Sequence, residues 1–512
     1  MPFIKITSAY NSYSTSSIVD VEIDVSLGLH SFSIIGLTDK SINEAKERVS
    51  SAIQNSGFIP PRHKNHNIVV SLSPSHIKKE GTSFDLAIAL SYLITTGQVK
   101  TNSSRIVVLG ELSLNGEIKS IPRILPMILE AQKHGYTHIL IPEGNIPEAS
   151  IVEDITIFAA TSLSTLCMNG EMNLNPIQLK SPEKIIPFNE KIASKYPDMS
   201  DIKSNPLGKR AIEIAASGGH NIILYGPPGS GKTMLAEAMA GILPPLTREE
   251  ALEVTCIHAL SGELAEPYIT HPPFRTPHHT TTRIACIGGG SHPRPGEITL
   301  AHKGILFLDE LPEFKIETLN ALRQPLESKN VSILRGGINV KFPADFIFVG
   351  AMNMCPCGNF TSKLKQCVCS ERSIQKYLSK LPEPFIDRID MWMHVGYQGQ
   401  HSSNEADGSE ATSIELQQKI IETRTKQKER HTKMFGYSHL NNRLTSDQIT
   451  KASRISPEAN SFFVSASANL KLTHRSLYKV LKVARTIADM SRSDTIEKEH
   501  LLEALQYRPK LK

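Results

Sequence analysis

A glycine-rich loop is the first segment whose residue types and spacing could do chemistry. It follows the apolar run 221–225 and satisfies the pattern G-x-x-x-x-G-K-[ST], in which backbone N–H groups surround bound phosphates. Lys232 can reach the β- and γ-phosphates of ATP, and the Thr233 hydroxyl can bind Mg²⁺. The predicted ATP-binding residues are Gly226, Pro227, Pro228, Gly229, Ser230, Gly231, Lys232 and Thr233.

Two acids end a second apolar run. Residues 305–308 read Ile-Leu-Phe-Leu, and Asp309 and Glu310 follow directly. Transfer of a phosphoryl group to water needs a carboxylate for Mg²⁺ and a group that takes the proton of the water. We therefore expect Asp309 to bind Mg²⁺ and Glu310 to polarise the attacking water. The alternative is that both acids only cap the next helix.

Two further residues stand where ATP hydrolysis could use them. Asn353 ends a third apolar run, 346–352, and its amide could orient the attacking water, although an asparagine after a strand is often a turn residue. Arg388 could reach the γ-phosphate of ATP on a neighbouring subunit, or it could form a salt bridge with Asp387 or Asp390. The spacing leaves both alternatives for Arg388 open.

Four of the seven cysteines lie within fifteen residues, as two C-x-C pairs separated by nine residues. Four thiolates on one loop can complete a closed tetrahedral site of the kind that holds structural Zn²⁺. The alternative is four cysteines without a metal. The predicted zinc ligands are Cys355, Cys357, Cys367 and Cys369.

The elements that must position these residues indicate an α/β protein. Alternating and apolar runs predict strands at 19–25, 67–72, 105–109 and 138–141, and helices at 41–54 and 126–133. Helix and strand then alternate, which favours a parallel sheet, before a helical C-terminal region. The predicted segments are an N-terminal domain (1–166), a linker (167–205), an ATPase core with the cysteine loop (206–397), a flexible spacer (398–412) and a helical domain (413–512).

Composition excludes several classes of protein. The 512 residues allow about three domains. With 56 basic and 51 acidic residues, the chain is neither a wholly basic nucleic-acid packager nor an acidic disordered protein. Residues 411–512 are distinctly basic, with 19 Lys or Arg against 10 Asp or Glu. No run of 18 apolar residues occurs, the N-terminal segment is polar, and the cysteine count is odd, so we expect a cytoplasmic protein without membrane spans.

The order of these motifs resembles an AAA+ ATPase, and more narrowly its magnesium-chelatase-like branch. Long strings throughout the chain are similar to the ComM/YifB family, and the similarity covers nearly all 512 residues. Met354 departs from the family pattern, which usually has proline there, but this change removes no catalytic group. The strings that carry the resemblance lie at 275–280 (RTPHHT), 288–290, 293–298, 300–304 and 351–358 (AMNMCPCG).

The resemblance implies a homo-hexameric ring with ATP at the subunit interfaces. It implies that Arg388 acts on the ATP of a neighbour, and that Arg475 senses the γ-phosphate from a C-terminal helical lid. It also implies single-stranded or branched DNA as partner, and branch-migration helicase activity in natural transformation or recombination. Two alternatives are a chelatase-type motor that remodels a protein partner and a nucleotide-switched scaffold.

The N-terminal domain resembles the proteolytic domain of Lon, an α/β fold of the ribosomal S5 domain 2-like type. Ser83, in the string 79–83, stands where Lon-like proteases carry the nucleophile. A Ser–Lys dyad needs a lysine that accepts the proton of the serine, and the corresponding position is Leu125. We therefore expect a binding or assembly platform without protease activity.

Three segments are candidates for DNA contact. Residues 329–342 predict a hairpin around Gly336 and Gly337, with Arg335 and Lys341 able to contact phosphates. The alternative for each segment is ordinary solvated charge. The other two candidates are the insertion 244–297, with His278, His279 and Arg283, and the basic helical stretch with Arg424, Lys426, Lys428, Arg430 and Lys433.

Overall fold

The computed structural model divides the chain into two compact units. The first comprises Met1–Ile185 with Thr255–Ile269, and the second comprises Ile186–Val254 with Thr270–Lys512. No helix among the described residues is long and apolar enough to cross a membrane. The structure describes residues 4–12, 15–37, 39–63, 65–75, 78–79, 81–101, 105–177, 195–203, 205–264, 266–290, 293–335, 338–362, 364–396 and 411–509.

The first unit contains a seven-stranded mixed sheet in the order β3-β4-β2-β1-β5-β8-β9. The valines and isoleucine at alternate positions of β2 are buried, as the period-2 pattern predicts for a strand with one face in the core. The strands are β1 (Ile4–Asn11), β2 (Ser16–Leu27), β3 (Ser31–Ile35), β4 (His66–Ser73), β5 (Val107–Val108), β8 (His138–Pro142) and β9 (Thr156–Ala160), with a separate pair β6 (Glu111–Leu112) and β7 (Ile118–Lys119).

Among the described residues of the same N-terminal part of the chain, five segments are α-helical. The helix α2 is almost entirely buried, whereas α1 is amphipathic and begins at the N-cap Asp39, whose carboxylate accepts the Ile42 N–H. The helices are α1 (Lys40–Asn55), α2 (Asp85–Thr95), α3 (Ile124–Lys133), α4 (Ile146–Ala149) and α5 (Leu163–Leu166).

The second unit is built on a five-stranded parallel sheet in the order β11-β14-β17-β10-β18. Strands β10, β14 and β17 are buried along their whole length, which explains their continuous apolar sequence. Their carboxyl ends meet at one edge, where ligands bind in sheets of this kind. The strands are β10 (Ile222–Tyr225), β11 (Phe274–Arg275), β14 (Ile305–Leu308), β17 (Ile347–Met352) and β18 (Met391–His394).

Helices surround this sheet, and two short antiparallel ribbons, β12 (Gly288–Gly289) with β13 (Arg294–Pro295) and β15 (Asn330–Arg335) with β16 (Ile338–Pro343), project from the connections. The helices of the connections are α6 (Pro206–Gly218), α7 (Lys232–Ile242), α8 (Arg248–Ser261, of which the residues from Thr255 onward belong to the first unit), α9 (Arg283–Ile287), α10 (Glu297–Leu300), α11 (Ile316–Ala321), α12 (Arg323–Ser328), α13 (Glu371–Leu378) and α14 (Glu383–Ile386).

The C-terminal region is helical and shares a hydrophobic core with one face of the sheet. Ile222 and Leu224 of β10 belong to the same buried cluster as Ile420 and Val483 of the C-terminal helices. The helices are α15 (Ser413–Phe435), α16 (Ser446–Ala452), α17 (Pro457–Asn469), α18 (His474–Met490) and α19 (Lys498–Gln506).

The structure confirms the mixed α/β class, the parallel sheet and the helical C-terminal region. The five predicted segments remain a prediction, because residues 178–194 of the linker and 398–410 of the spacer lie outside the described residues. The structure corrects the interpretation of α15 as a solvated or DNA-contacting basic face at two of the five basic residues that the sequence suggested. The Arg424 guanidinium donates to the Ala216 carbonyl oxygen, and Arg430 pairs with the buried Asp489, so tertiary partners bind both side chains.

Candidate nucleotide site and cysteine cluster

The phosphate-binding loop connects the buried strand β10 to helix α7. Gly229 and Gly231 have φ values of 70° and 87°, a region that glycine enters at low cost. At Gly226 a Cβ atom would lie 2.0 Å from the Val395 carbonyl oxygen, so a larger residue would displace the chain directly after β18. Both constraints explain why this turn needs glycine at three of its positions.

The side chain of Lys232 packs against the phosphate-binding loop and is 8% exposed. Its Nζ donates to the carbonyl oxygens of Gly226 at 3.0 Å and Pro227 at 2.8 Å. Burial lowers the pKa of Lys232, and the negative charge of Asp309 opposes that shift. The ammonium group is therefore held at the loop by acceptors that a phosphate oxygen could replace.

Asp309 and Thr233 meet as a magnesium site requires. The Thr233 hydroxyl donates to Asp309 Oδ2 at 2.9 Å, and the other oxygen of Asp309 accepts the Glu310 N–H at 2.8 Å. A hydroxyl and a carboxylate beside a triphosphate loop are the hard oxygen donors that Mg²⁺ takes, with water completing its shell. The donor set therefore fits the predicted ion.

Asn353 lies beside Lys232 because their strands are neighbours in register. Tyr225 at the end of β10 pairs with Met352 at the end of β17, so the residues that follow the two strands emerge side by side at the carboxyl edge of the sheet. Lys232 Nζ donates to Asn353 Oδ1 at 3.3 Å. Glu310, after β14, has a side chain that is 62% exposed and lines a cavity of about 330 Å³ together with Asn353. The sheet thus brings together the sequence-predicted residues 232, 233, 309, 310 and 353.

Arg388 and Arg475 lie in a different place, where both contact Glu327. Arg388 Nη2 is 2.9 Å from Glu327 Oε1, and Arg475 donates to the same oxygen. Burial favours a higher pKa for Glu327, but the hydrogen bonds from the two arginines outweigh it and lower the pKa. Neither Asp387 nor Asp390, the partners considered from the sequence, forms this ion pair.

Both arginines line a cavity of about 640 Å³ between α12, the segment after α14, and α18. None of residues 226–233 lines it, although all eight are described. The arginine cavity and the phosphate-binding loop are therefore separate features of one chain.

The four cysteines of the predicted metal site converge. Cys355 and Cys357 have their Sγ atoms 3.4 Å apart, Cys357 and Cys367 3.6 Å, and all four Sγ atoms lie within 4.8 Å of one another. Zn–S bonds of 2.3 Å in a tetrahedron place sulfur atoms about 3.8 Å apart. Hydrogen bonds from the backbone of Asn359 and Val368 lower the pKa of Cys357 to about 6. The cluster fits Zn²⁺ in number, chemistry and spacing.

The cysteine loop packs directly on the phosphate-binding loop. Gly358 has a φ of 80°, and a Cβ atom there would lie 2.6 Å from Pro228 Cγ. The same Cβ position would lie 3.7 Å from the amide nitrogen of Asn353. The fold of the cysteine loop is thereby linked to two parts of the nucleotide site.

Family models match three consecutive parts of the chain. The model described as magnesium chelatase, subunit ChlI, matches residues 198–403, that of subunit ChlI of Mg-chelatase matches 21–145, and that of the ChlI C-terminal region matches 410–508. The competence protein ComM of Haemophilus influenzae is 38% identical over 495 residues, which are 96% of this chain and 94% of that protein. This chain belongs to the ComM/YifB family of magnesium-chelatase-like AAA+ ATPases.

Other members of the family and a more distant relative extend the comparison. The uncharacterized protein YifB of Escherichia coli is 36% identical over 494 residues, with 96% of this chain and 94% of that protein covered. Lon protease 2 of Bacillus subtilis is 29% identical over 199 residues, covering 33% of this chain and 35% of its own. The family relationship makes the chain an ATPase by class, with ATP and Mg²⁺ as its cofactors.

Sequence reasoning missed two contacts of this ATPase. No signal identified Glu327, which lies in a short polar helix and gains its importance only from the arginines that the fold brings to it. The sequence suggests His279 as a possible DNA contact, which stays a prediction, and it does not indicate that His279 Nδ1 lies 3.5 Å from Glu310 Oε2. Both are contacts between residues distant in sequence, which spacing does not reveal.

Proposed function

We propose that this ATPase is a homo-hexameric ring motor that acts on single-stranded or branched DNA, with branch migration in natural transformation or recombination as its role. The observation that carries the proposal is that Arg388 and Arg475 share a cavity to which the phosphate-binding loop does not contribute. A second copy that presents its nucleotide to this cavity would complete the site, and repetition of that contact closes a ring. The relationship to a competence protein supports the role.

The chemistry follows from the residues at the sheet edge. Thr233 and Asp309 would hold Mg²⁺, which neutralises charge on the phosphates when bound. Lys232 would exchange its carbonyl acceptors for β- and γ-phosphate oxygens. Asn353 would orient the water, and Glu310 would take its proton as the bond from water oxygen to the γ-phosphorus forms and the bond to the bridging oxygen breaks.

The β15–β16 ribbon is the DNA contact that we favour. Lys341 is exposed on β16, and Leu334 on β15 is 77% exposed, so the ribbon has both a cation for phosphates and an apolar side chain for bases. The turn 336–337 and the side chain of Arg335 lie outside the described residues.

We further propose roles for the N-terminal unit, the C-terminal helices and the cysteine cluster. The N-terminal unit would be a Lon-protease-like assembly platform, a reading supported by the similarity to Lon protease 2 and by Ser83, whose buried hydroxyl donates to the Ala9 carbonyl oxygen. The C-terminal helices would form the lid. A cytoplasmic location would keep the four clustered thiols reduced for structural Zn²⁺.

A chelatase-type motor acting on a protein is the second candidate, favoured by the description of the family models. Steady-state ATPase assays without DNA, with single-stranded DNA and with a four-way junction separate the candidates. We expect stimulation by DNA and retention of DNA at physiological salt. ATP turnover that ignores DNA, together with no retention, contradicts the DNA motor and leaves the chelatase-type motor. Binding of ATP without hydrolysis would identify the third alternative, a nucleotide-switched scaffold.

A further inference from the structure

Two different parts of the second unit carry the arginines that share Glu327. Arg388 lies between α14 and β18, next to the parallel sheet, whereas Arg475 is the second residue of the C-terminal helix α18. Two guanidinium groups act together on one phosphate only when their separation is fixed. The contacts that fix this separation are therefore part of the proposed site.

The backbone around Arg388 is fixed by Asn221, the residue directly before strand β10. The Asn221 side-chain amide donates to the Arg388 carbonyl oxygen at 3.3 Å, and the Asn221 N–H donates to Asp390 Oδ2 at 2.9 Å. In return, the N–H groups of Asp390 and Met391 each donate to the Asn221 carbonyl oxygen at 3.0 Å. These bonds hold the Arg388 backbone to the sheet and involve no residue of the C-terminal helices.

Lys479 connects helix α18 to this segment. Its Nζ donates at 3.0 Å to the carbonyl oxygen of Ile389, the residue directly after Arg388. Lys479 also lies four positions after Arg475 on the same helix, so the two side chains emerge on one face, one turn apart. The helix that carries Arg475 is thereby attached to the backbone that carries Arg388.

The ammonium group of Lys479 is a partly buried cation. Burial lowers the pKa of Lys479, and the negative charges of Asp390 and Asp387 oppose this shift. In the described part of the chain, neither acid comes close enough to form an ion pair with Lys479, so the Ile389 carbonyl oxygen is its acceptor. Burying a cation costs free energy that an apolar side chain at the same position would not cost. This cost favours a role for the hydrogen bond itself.

Lys482 provides a comparison on the same helix. Its Nζ donates at 2.9 Å to the carbonyl oxygen of Asn442, which belongs to the C-terminal region itself, and burial lowers its pKa as well. Both lysines line the cavity that contains Arg388 and Arg475. The two therefore share helix, charge and surroundings, and they differ in whether their bond reaches the Arg388 segment.

We propose that Lys479 is a positioning residue that holds Arg475 in register with Arg388, so that both arginines meet the phosphate of a neighbouring subunit as one unit. This inference rests on the proposed ring motor and names a further residue that its shared nucleotide site needs. Glu327 joins the arginines through the single oxygen Oε1, whose place a phosphate oxygen would take. The bond from Lys479 lies outside that contact and would remain when the phosphate binds.

Three variants test the hydrogen bond by steady-state kinetics with ATP alone. K479M keeps the aliphatic stem but removes the donor, K479R keeps a donor, and K482M removes the same charge without touching the Arg388 segment. We expect K479M to lower kcat at least about tenfold with KM changed less than about twofold, because residues 226–233 are intact.

The other two variants separate the bond from the charge. K479R should recover most of the lost turnover, and K482M should lower kcat less than about twofold. A kcat of K479M equal to that of wild type overturns the proposal. An equal loss in K479M and K482M, which charge alone would explain, overturns it too.

Mixing of subunits distinguishes a displaced arginine pair from a misfolded subunit. E310Q subunits have both arginines and Lys479, so they should restore part of the turnover at the intact nucleotide sites of K479M subunits. R388A subunits lack the arginine that those sites need, and they should restore none. No recovery with E310Q, or recovery with R388A, overturns the proposal.

A double substitution tests whether Lys479 acts through Arg475. In an R475A background K479M should lower kcat less than about twofold further, because the group that it aligns is gone, and a full tenfold loss there overturns the proposal. None of these measurements includes DNA. ATP turnover that ignores DNA therefore removes the DNA motor and leaves the role of Lys479, whereas a fully active K479M removes the role of Lys479 and leaves the DNA motor.

Discussion

Arg388 and Arg475 are joined through a single oxygen atom, Glu327 Oε1, although they lie 87 positions apart in the sequence. Two guanidinium groups so close together repel each other unless an anion lies between them. Glu327 supplies that anion within the chain, and it is 49% exposed, so another anion can approach the same position. We therefore expect a phosphate oxygen to be able to take the place of this carboxylate.

The first prediction is that Arg388 acts on the nucleotide of a neighbour. R388A should lower kcat at least about a thousandfold, as removal of an arginine finger does. Mixing R388A with E310Q subunits should restore turnover. An E310Q subunit still has Arg388 and can supply it to the nucleotide site of an R388A neighbour, where Glu310 is intact. R492A, which breaks an exposed ion pair with Glu422, is the control and should be neutral. Two inactive variants that stay inactive when mixed would show that Arg388 does not act in trans.

A second prediction concerns Glu310. E310Q removes the proton acceptor but keeps the shape of the side chain, so ATP should bind normally while turnover falls at least about a hundredfold. E313Q is a matched control, since Glu313 lines the same cavity but pairs with Lys380. Nucleotide affinity and single-turnover hydrolysis check both expectations. Turnover of E310Q near that of wild type would assign the role of base to another group.

The sequence predicted the features of the nucleotide site that are local in the chain. The phosphate-binding loop, the acids after β14 and the asparagine after β17 each follow an apolar strand, and a parallel sheet necessarily brings such ends together. The four clustered cysteines were predictable for the same reason, because they lie on one loop.

Contacts between distant segments were not predictable from the sequence. Glu327 lies in a short helix without any motif, and only packing brings α18 to it. The basic stretch of α15 reads as a solvated face, yet the carbonyl end of α6 accepts the Arg424 guanidinium. Charge patterns show which side chains are ionised, and the fold decides which of them meet a partner.

The cysteine cluster predicts about one zinc per chain in purified protein, measured by elemental analysis. C357S or C367S should lose the metal and melt at least about 4 °C lower, because the loop loses its cross-link. C256S changes a cysteine outside the cluster and should keep both metal and melting temperature. Absence of zinc from wild type purified without chelator would contradict the site.

Gly358 predicts a connection between the cysteine loop and ATP affinity. G358A should reduce the free energy of unfolding by about 1–2 kcal/mol because alanine is strained at this positive φ. Its new Cβ atom should also displace Pro228 of the phosphate-binding loop, so the Kd for ATP should rise at least about fivefold. Gly436 has nearly the same φ, 79°, but open space around it, so G436A carries the backbone strain alone. An equal ATP affinity of the two variants, measured by titration with a fluorescent nucleotide, would argue against the contact.

The last prediction concerns Asp345, which connects the sheet to the C-terminal helices. Its carboxylate pairs with Arg443 and lies 3.3 Å from Lys303 Nζ and 3.9 Å from Lys329 Nζ. Burial alone would raise the pKa of Asp345, but the hydrogen bond and charge of Arg443, with the two lysines, hold it well below its usual range. An acid whose pKa is lower in the folded state stabilises the fold above its unfolded pKa, and this stabilisation is lost as the pH falls.

D345N should therefore reduce the free energy of unfolding at pH 7 by about 3 kcal/mol, since it removes the carboxylate that Arg443, Lys329 and Lys303 share, and of these Lys303 keeps a second acid, Glu250. The difference from wild type should narrow as the pH falls below about 4, where Asp345 is protonated in the unfolded chain. Urea unfolding at several pH values measures this difference. D494N, at a pair whose carboxylate is 81% exposed, should change stability little at any pH. A D345N deficit that does not vary with pH would mean that the carboxylate acts through shape and hydrogen bonding, without a contribution from its charge.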